Sequence, residues 1–261
     1  MDLLHQLDGL HAIAGFLVGV LVGLTGVGGG SLMTPLLVLM FGVSPHTAVG
    51  TDLLYAASTK MVGSAVHGWR ETIDWKIMRR LASGSLPAAA VSIYVLSHFG
   101  KVDKSTQQGI LLTLGCMLLI TAVAVLFQKK LIGFAMRFRD GRERNVALPT
   151  VLLGAVLGVA VSVSSVGAGA IGVTVLLMMY PNLPVARIVG TDIVHAVPLT
   201  LVAGFGHWLI GDVNGLLLLN LLIGSVPGVI IGSLLSSRAP DHLLRPALAG
   251  VLFVSGGRLL M

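Results

Sequence analysis

Charged residues and cysteines are scarce in this sequence. Of its 261 residues, 11% are Asp, Glu, Lys or Arg, whereas a soluble domain carries about 25%. So few charged side chains cannot cover a water-facing surface, and the composition therefore argues against a soluble globular protein. The one cysteine, Cys116, lies inside an apolar run. A lone thiol offers no internal disulfide, no redox pair and no metal-binding framework.

Enzyme motifs are missing as well. The sequence has no HExxH, no CxxC and no GxSxG in a nucleophile-elbow context, and its "GVGGGS" at 26–31 lacks the lysine and the preceding strand of a phosphate-binding loop. The net charge of +6 sits in short connections, where basic residues set membrane topology rather than bind nucleic acid. We therefore expect no enzyme, no metal or other cofactor, and no nucleic-acid partner.

Long apolar runs are what the sequence does have. Hydrophobic residues make up 55% of it, and its mean hydropathy is +0.93. The runs are continuous, so they indicate helices rather than the alternating strands of a barrel. A spanning helix needs about 20 residues, and we predict an all-α, polytopic integral membrane helix bundle. Its ten apolar segments are 10–27, 31–42, 47–67, 77–97, 106–128, 148–166, 170–180, 186–210, 214–236 and 244–260.

Loop charges predict the topology. The stretch 128–145 carries six basic residues and 67–80 carries four, so we place both loops in the cytoplasm. The apolar core of the first loop, 131–136, could form a short interfacial helix. The N-terminus has no Lys or Arg near it; we place it outside and read it as mature structure rather than a signal peptide.

An internal repeat relates the two halves of the chain. "VGTDLL" at 49–54 returns as "VGTDIV" at 189–194, and "SLP" at 85–87 as "SVP" at 225–227, both with an offset of 140 positions. Upstream of Pro45 the offset is 139. Because the loop charges start the first half (1–145) outside and the second (146–261) inside, we predict an inverted repeat. That architecture is typical of transporters, whose substrate sites lie where short or glycine-interrupted helices meet.

Two glycine-rich breaks mark such places. "TGVGGGS" at 25–31 and "SSVGAGA" at 164–170 each precede a short segment, which indicates two broken or re-entrant short helices. Glycine permits close approach of a ligand to the backbone, and a helix start offers free N–H groups to an anion. Tight helix packing through small residues is the alternative; we favour the ligand. The predicted substrate-binding residues here are Thr25, Gly28, Gly29, Gly30, Ser31, Ser164, Ser165, Gly167 and Gly169.

Ionisable residues inside the apolar segments complete the predicted site. A charge such as that of Lys60 costs about 3 kcal/mol at mid-membrane; its long stem could snorkel to an interface, but we favour a cavity, where Lys60 binds the anionic substrate. Asp52 and Asp192 could cap helices or carry protons, and both roles stay open. His195 follows Asp192 by one turn, which makes a proton relay plausible.

Three stretches resemble the sulfite exporter TauE/SafE family: "GVGGGSLMTPLLVLMFGVSPHTAVGTDLL", "VHGWRETIDWKIMRRLASGSLPAA" and "VGTDIVHAVPLTLVAGFGHWLIGDVNGLLLLNLLIGSVPG". The resemblance covers nearly the whole chain. It implies a multi-pass carrier of the bacterial inner membrane with about eight spans, which moves sulfite or small organosulfonates. It places the binding region at 25–31 and 164–170.

The leading functional hypothesis is a secondary carrier that exports such an anion, coupled to the proton gradient. An anion channel and a permease subunit of an ATP-driven system are the alternatives. The expected partners are a small anionic substrate and the lipid bilayer, and a homo-oligomer is compatible with the sequence.

Overall fold

The computed structural model describes residues 9–25, 30–68, 73–98, 104–137, 146–235 and 241–261. Over these ranges the chain forms ten α-helices and no strand. The helices are α1 (Gly9–Thr25), α2 (Gly30–Leu39), α3 (Pro45–Gly68), α4 (Trp75–His98), α5 (Lys104–Arg137), α6 (Ala147–Ser164), α7 (Ala170–Met179), α8 (Val185–Leu209), α9 (Gly215–Leu235) and α10 (Asp241–Leu260).

The all-α prediction is confirmed, because each of the ten apolar segments corresponds to one helix. One local expectation is wrong. The stretch 131–136 is not a separate interfacial helix but part of α5, which runs for 34 residues, about 51 Å at 1.5 Å per residue. The physical reason is that no proline interrupts α5. Gly133, the glycine within 131–136, is tolerated inside a helix.

Within the ranges that the structure describes, five helices are long and apolar enough to cross a membrane: α4, α6, α8, α9 and residues 107–128 of α5. The helix α1 is apolar but shorter. The two shortest helices, α2 and α7, have ten residues each and reach about 15 Å, half of the hydrocarbon core. The chain is therefore a multi-pass membrane protein that also contains two half-length helices.

Helices from the two halves pack in pairs through glycine. In one pair, α4 against α6, a Cβ on Gly84 would overlap the carbonyl oxygen of Val151. In the other pair, α9 against α1, a Cβ on Gly224 would overlap the carbonyl oxygen of Ala12. The two contacts are related by the offset of the sequence repeat. Small residues thus let the backbones touch, as membrane helices need in order to gain packing energy.

Gly84→Ala should destabilise the protein, because its methyl group has no space against α6. We expect a cost of about 1–3 kcal/mol, measured as a lower melting temperature of the purified protein in detergent. The matched control is Gly250→Ala in α10, where a Cβ meets nothing within 4 Å and alanine should be neutral or slightly stabilising. Equal melting temperatures for the two variants would contradict the packing described.

Two threonines tie the halves together at the starts of α4 and α9. The backbone N–H of Asp74 donates to Thr191 Oγ1 at 2.8 Å, and the N–H of Asn214 donates to Thr51 Oγ1 at 3.1 Å. The side chains of Asp74 and Asn214 in turn accept N–H groups of the first turns of their own helices, as N-cap residues do. Each threonine directly precedes an aspartate of the repeat, so these contacts fix the backbone beside both carboxylates.

Candidate functional site

The helices α3 and α8 bury a cluster of ionisable side chains in the bundle. Asp52, Asp192 and His195 are fully buried, and Lys60 is 6% exposed. The Lys60 ammonium interacts electrostatically with both carboxylates. Lys60 therefore does not snorkel to an exposed interface. Its opposite charge acts on two aspartates, one from each half, although the described residues include no ion pair of Lys60 shorter than 4.0 Å.

Asp52 faces the short helix α2 and the second break. Thr34 Oγ1, from α2, donates a short hydrogen bond to Asp52 Oδ2. Ser165 lies beside Asp52, although within the described part of the chain its hydroxyl makes no hydrogen bond of standard geometry. Ser165 adopts a left-handed backbone conformation with φ 57°, which costs a non-glycine residue about 1–2 kcal/mol. A residue of the second half is thus held under strain beside the carboxylate of the first.

Asp192 lies against the first turn of α7. A Cβ on Gly172 would overlap Asp192 Oδ1, and the backbone of Gly169 interacts with the carboxylate. Among the residues described, neither Asp192 oxygen has a hydrogen bond of standard geometry. The structure therefore places a carboxylate of the protein itself at the helix start where the sequence predicts an anionic ligand. Neither aspartate caps its own helix, since both lie inside α3 and α8.

One turn after each aspartate, a polar ring meets a serine of the opposite half. His195 Nε2 lies 2.8 Å from Ser85 Oγ in α4, and Tyr55 lies beside Ser225 in α9. Sequence reasoning did not assign the two serines to the site, although the signal was present in the "SLP" and "SVP" match. Within the described residues, no group of three His, Cys, Asp or Glu side chains could hold a metal ion.

The second break depends on glycine for its backbone. Gly167 and Gly169 have φ of 128° and 117°, a region that residues with a Cβ rarely adopt. The hydroxyl of Ser164 donates to the carbonyl of Ala160 at 2.7 Å. In the same way, the hydroxyl of Thr25 donates to the carbonyl of Leu21 at 2.7 Å. In the first break, Gly28 and Gly29 lie outside the described residues.

The ends of both breaks meet at one cavity. It has a volume of about 90 Å³ and lies between α1, α5, α7, α8 and α10. The predicted residues Thr25 and Gly169 line it, whereas Ser31, Lys60, Ser164, Ser165 and Gly167 are not among its lining residues. Ser31 is buried at the start of α2, and Gly30 is the first residue of that helix. The full lining consists of Thr25, Val125, Gln128, Gly169, Ala170, Val173, Val185, Val189, Leu244, Arg245 and Leu248.

Comparison with known proteins gives consistent matches. A family model described as sulfite exporter TauE/SafE matches residues 11–259. The Bacillus subtilis protein named probable membrane transporter protein YjnA is 38% identical over 253 residues, covering 95% of this chain and 98% of that protein. A second B. subtilis protein, probable membrane transporter protein YdhB, is 30% identical over 252 residues, covering 92% and 97%. A probable membrane transporter protein of Xylella fastidiosa is 27% identical over 238 residues, covering 88% and 86%. No solved structure matches the chain.

Proposed function

The chain belongs to the sulfite exporter TauE/SafE family, and from this premise we propose that it is a secondary carrier of the cell inner membrane. It exports a small sulfur-containing anion, such as sulfite or an organosulfonate, and couples this export to protons. The observation that carries the proposal is the burial of Lys60, Asp52 and Asp192 in one electrostatically interacting cluster. Ionisable residues at this depth in a membrane bundle mark ion pathways and proton relays.

The mechanism rests on an inverted repeat of 1–145 and 146–261. Two features support it: the loop charges, and cross-half contacts that recur with the offset of the sequence repeat. Tyr180 OH lies 2.7 Å from Thr150 Oγ1, so the end of α7 returns to the start of α6, as in a re-entrant hairpin. Setting α2 and α7 aside leaves eight helices of 17 to 34 residues. We propose that these eight helices are the spans.

The charges of the cluster suggest how protons and anions are linked. With all three groups ionised, Asp52, Asp192 and Lys60 sum to one negative charge, which repels an anion. Protonation of a carboxylate removes that repulsion, so proton binding and anion binding assist each other, and the linkage is reciprocal. The negative interior of a cell drives export when the anion carries more negative charge than the linked proton cancels, and the linked proton gives the flux its pH dependence.

Liposomes that contain the purified protein test this function. We expect saturable flux of sulfite or ethanesulfonate without ATP, and a changed rate after a pH step across the membrane. Current that does not saturate would instead show an anion channel. Silence without added cytosolic ATPase, and activity with it, would show a permease subunit. Absence of flux for every sulfur oxyanion and sulfonate under all these conditions would refute the proposal.

A further inference from the structure

Two hydrogen bonds join solvent-facing helix starts to buried threonines. The backbone N–H of Asn214, before α9, donates to Thr51 Oγ1 at 3.1 Å. The backbone N–H of Asp74, before α4, donates to Thr191 Oγ1 at 2.8 Å. Both threonines are fully buried, whereas Asn214 is exposed and Asp74 is half-buried. Each contact therefore lies at the boundary between the surface and the interior of the bundle, once in each half of the chain.

Each threonine also lies directly before a carboxylate of the charge cluster. Thr51 and Thr191 are the seventh residues of α3 and α8, about 9 Å along the helix from its first residue. The next residues along these helices are Asp52 and Asp192. A path from the surface to either carboxylate, along the start of its helix, therefore meets the threonine contact one residue before the cluster.

The two contacts lie at opposite ends of α8. Asp74 contacts α8 at Thr191, near its start, whereas Asn214 follows its end at Leu209. From Thr191 to Leu209 the helix rises about 27 Å, close to the thickness of the hydrocarbon core. The basic loop 67–80 leads into α4, so the loop charges place the Asp74 contact on the cytoplasmic side and the Asn214 contact on the outer side.

The outer corner between α8 and α9 has a further connection. His207, in the last turn of α8, lies with Nε2 2.9 Å from the carbonyl oxygen of Ser162 in α6. Its Nδ1 lies 3.3 Å from Asp212 Oδ2, and both side chains are buried. A carbonyl only accepts, so Nε2 donates. Loss of the Thr51 hydroxyl therefore leaves part of the outer connection in place.

We propose that Thr51 and Thr191 are positioning residues that close the two paths to the charge cluster, Thr51 from the outer side and Thr191 from the cytoplasm. Because each threonine is adjacent to its aspartate on one helix, a movement of that aspartate also moves the hydroxyl and breaks the contact on one side of the membrane. The use of these contacts in transport rests on the proposed carrier function; the closure of the paths does not.

Accessibility labelling in right-side-out and inside-out membrane vesicles tests the proposal. The labelled position is Ser165→Cys, buried beside Asp52, in a protein whose Cys116 is replaced by serine. A membrane-impermeant methanethiosulfonate gives the labelling rate from each side. Thr191→Val removes the hydroxyl, so the rate from the cytoplasmic side should rise about fivefold, the factor of one neutral hydrogen bond. The rate from the outer side should fall.

Thr51→Val should change the two rates in the opposite sense, by a smaller factor because His207 still holds the outer corner. Thr51→Ser and Thr191→Ser keep the hydroxyl and should label at the original rates. The matched control is Thr121→Val, since buried Thr121 donates only within α5, to the carbonyl of Met117. The proposal is wrong if either valine variant labels like this control, changes both rates in the same sense, or changes them in the reverse sense. Absence of labelling from both sides would overturn it as well.

Anion flux separates this inference from the carrier function. Side-specific labelling that depends on the two hydroxyls, in a protein with no flux of any tested anion, would support the two closures and refute the carrier. Saturable sulfite flux in a protein whose labelling does not respond to Thr51→Val or Thr191→Val would refute the closures and leave the carrier intact.

Discussion

Replacing Lys60 with methionine should reduce anion flux to the level of protein-free liposomes. The ammonium of Lys60 interacts electrostatically with Asp52 and Asp192, and both carboxylates are fully buried. Removing one partner of a buried charge cluster costs about 3–5 kcal/mol, because the remaining charges lose their compensation. We therefore expect a lower melting temperature in detergent together with the loss of flux in liposomes.

A double variant separates stability from transport. Lys60→Met combined with Asp192→Asn removes the charge together with one of its partners, so stability should return in part while flux stays at background. Lys76→Met is the matched control, since Lys76 is exposed at the start of α4 and its loss should change neither quantity. Wild-type flux in Lys60→Met would show that the buried cation has no part in transport.

Asp192→Asn should remove the response of the flux to a pH step while anion exchange at equal pH continues. The amide has nearly the shape of the carboxyl group but cannot take up a proton. Among the described residues, Lys60 from α3 interacts electrostatically with Asp192, and His195 lies one turn on in α8. The backbone of α7 supplies its other close contact. We expect the ratio of fluxes with and without an imposed pH gradient to fall to one, measured with labelled sulfite.

Asp74→Asn provides the comparison for this prediction. Asp74 caps α4 outside the charge cluster, and asparagine is an equally good N-cap residue, so this variant should keep the wild-type pH response. A pH response that survives in Asp192→Asn would move the proton site to Asp52 or His195, and Asp52→Asn in the same assay would decide between them.

The helices were predictable because each is a long apolar run, and their ends follow from the polar or glycine-rich residues between runs. The repeat was also visible, since "VGTDLL" and "VGTDIV" share one register. The partners of the repeated aspartates were not predictable. Periodicity places Tyr55 and His195 one turn after the carboxylates, but it says nothing about which serines of α4 and α9 they meet.

The partners of the charged side chains were not predictable from the sequence either. A lone lysine in an apolar segment indicates an unusual site, and Lys60 is indeed buried. Asp52 precedes it by eight positions on α3, but Asp192, 132 positions away, comes near only because α3 packs on α8. The packing of α10 against α5 likewise brings Arg245 to the cavity that Thr25 and Gly169 line.

The sequence by itself determined that this chain lies in a membrane, that it is helical, and that motifs of its first half recur in its second half, each time with a glycine-rich break and an aspartate. These properties depend on local hydrophobicity and on short motifs, both of which are visible without knowing which helices pack together. The tertiary structure decided which charged side chains lie near one another, because those distances are set by the crossing of helices far apart in sequence. No water screens charges inside the bundle, so the side chains next to a buried charge determine whether it is tolerated.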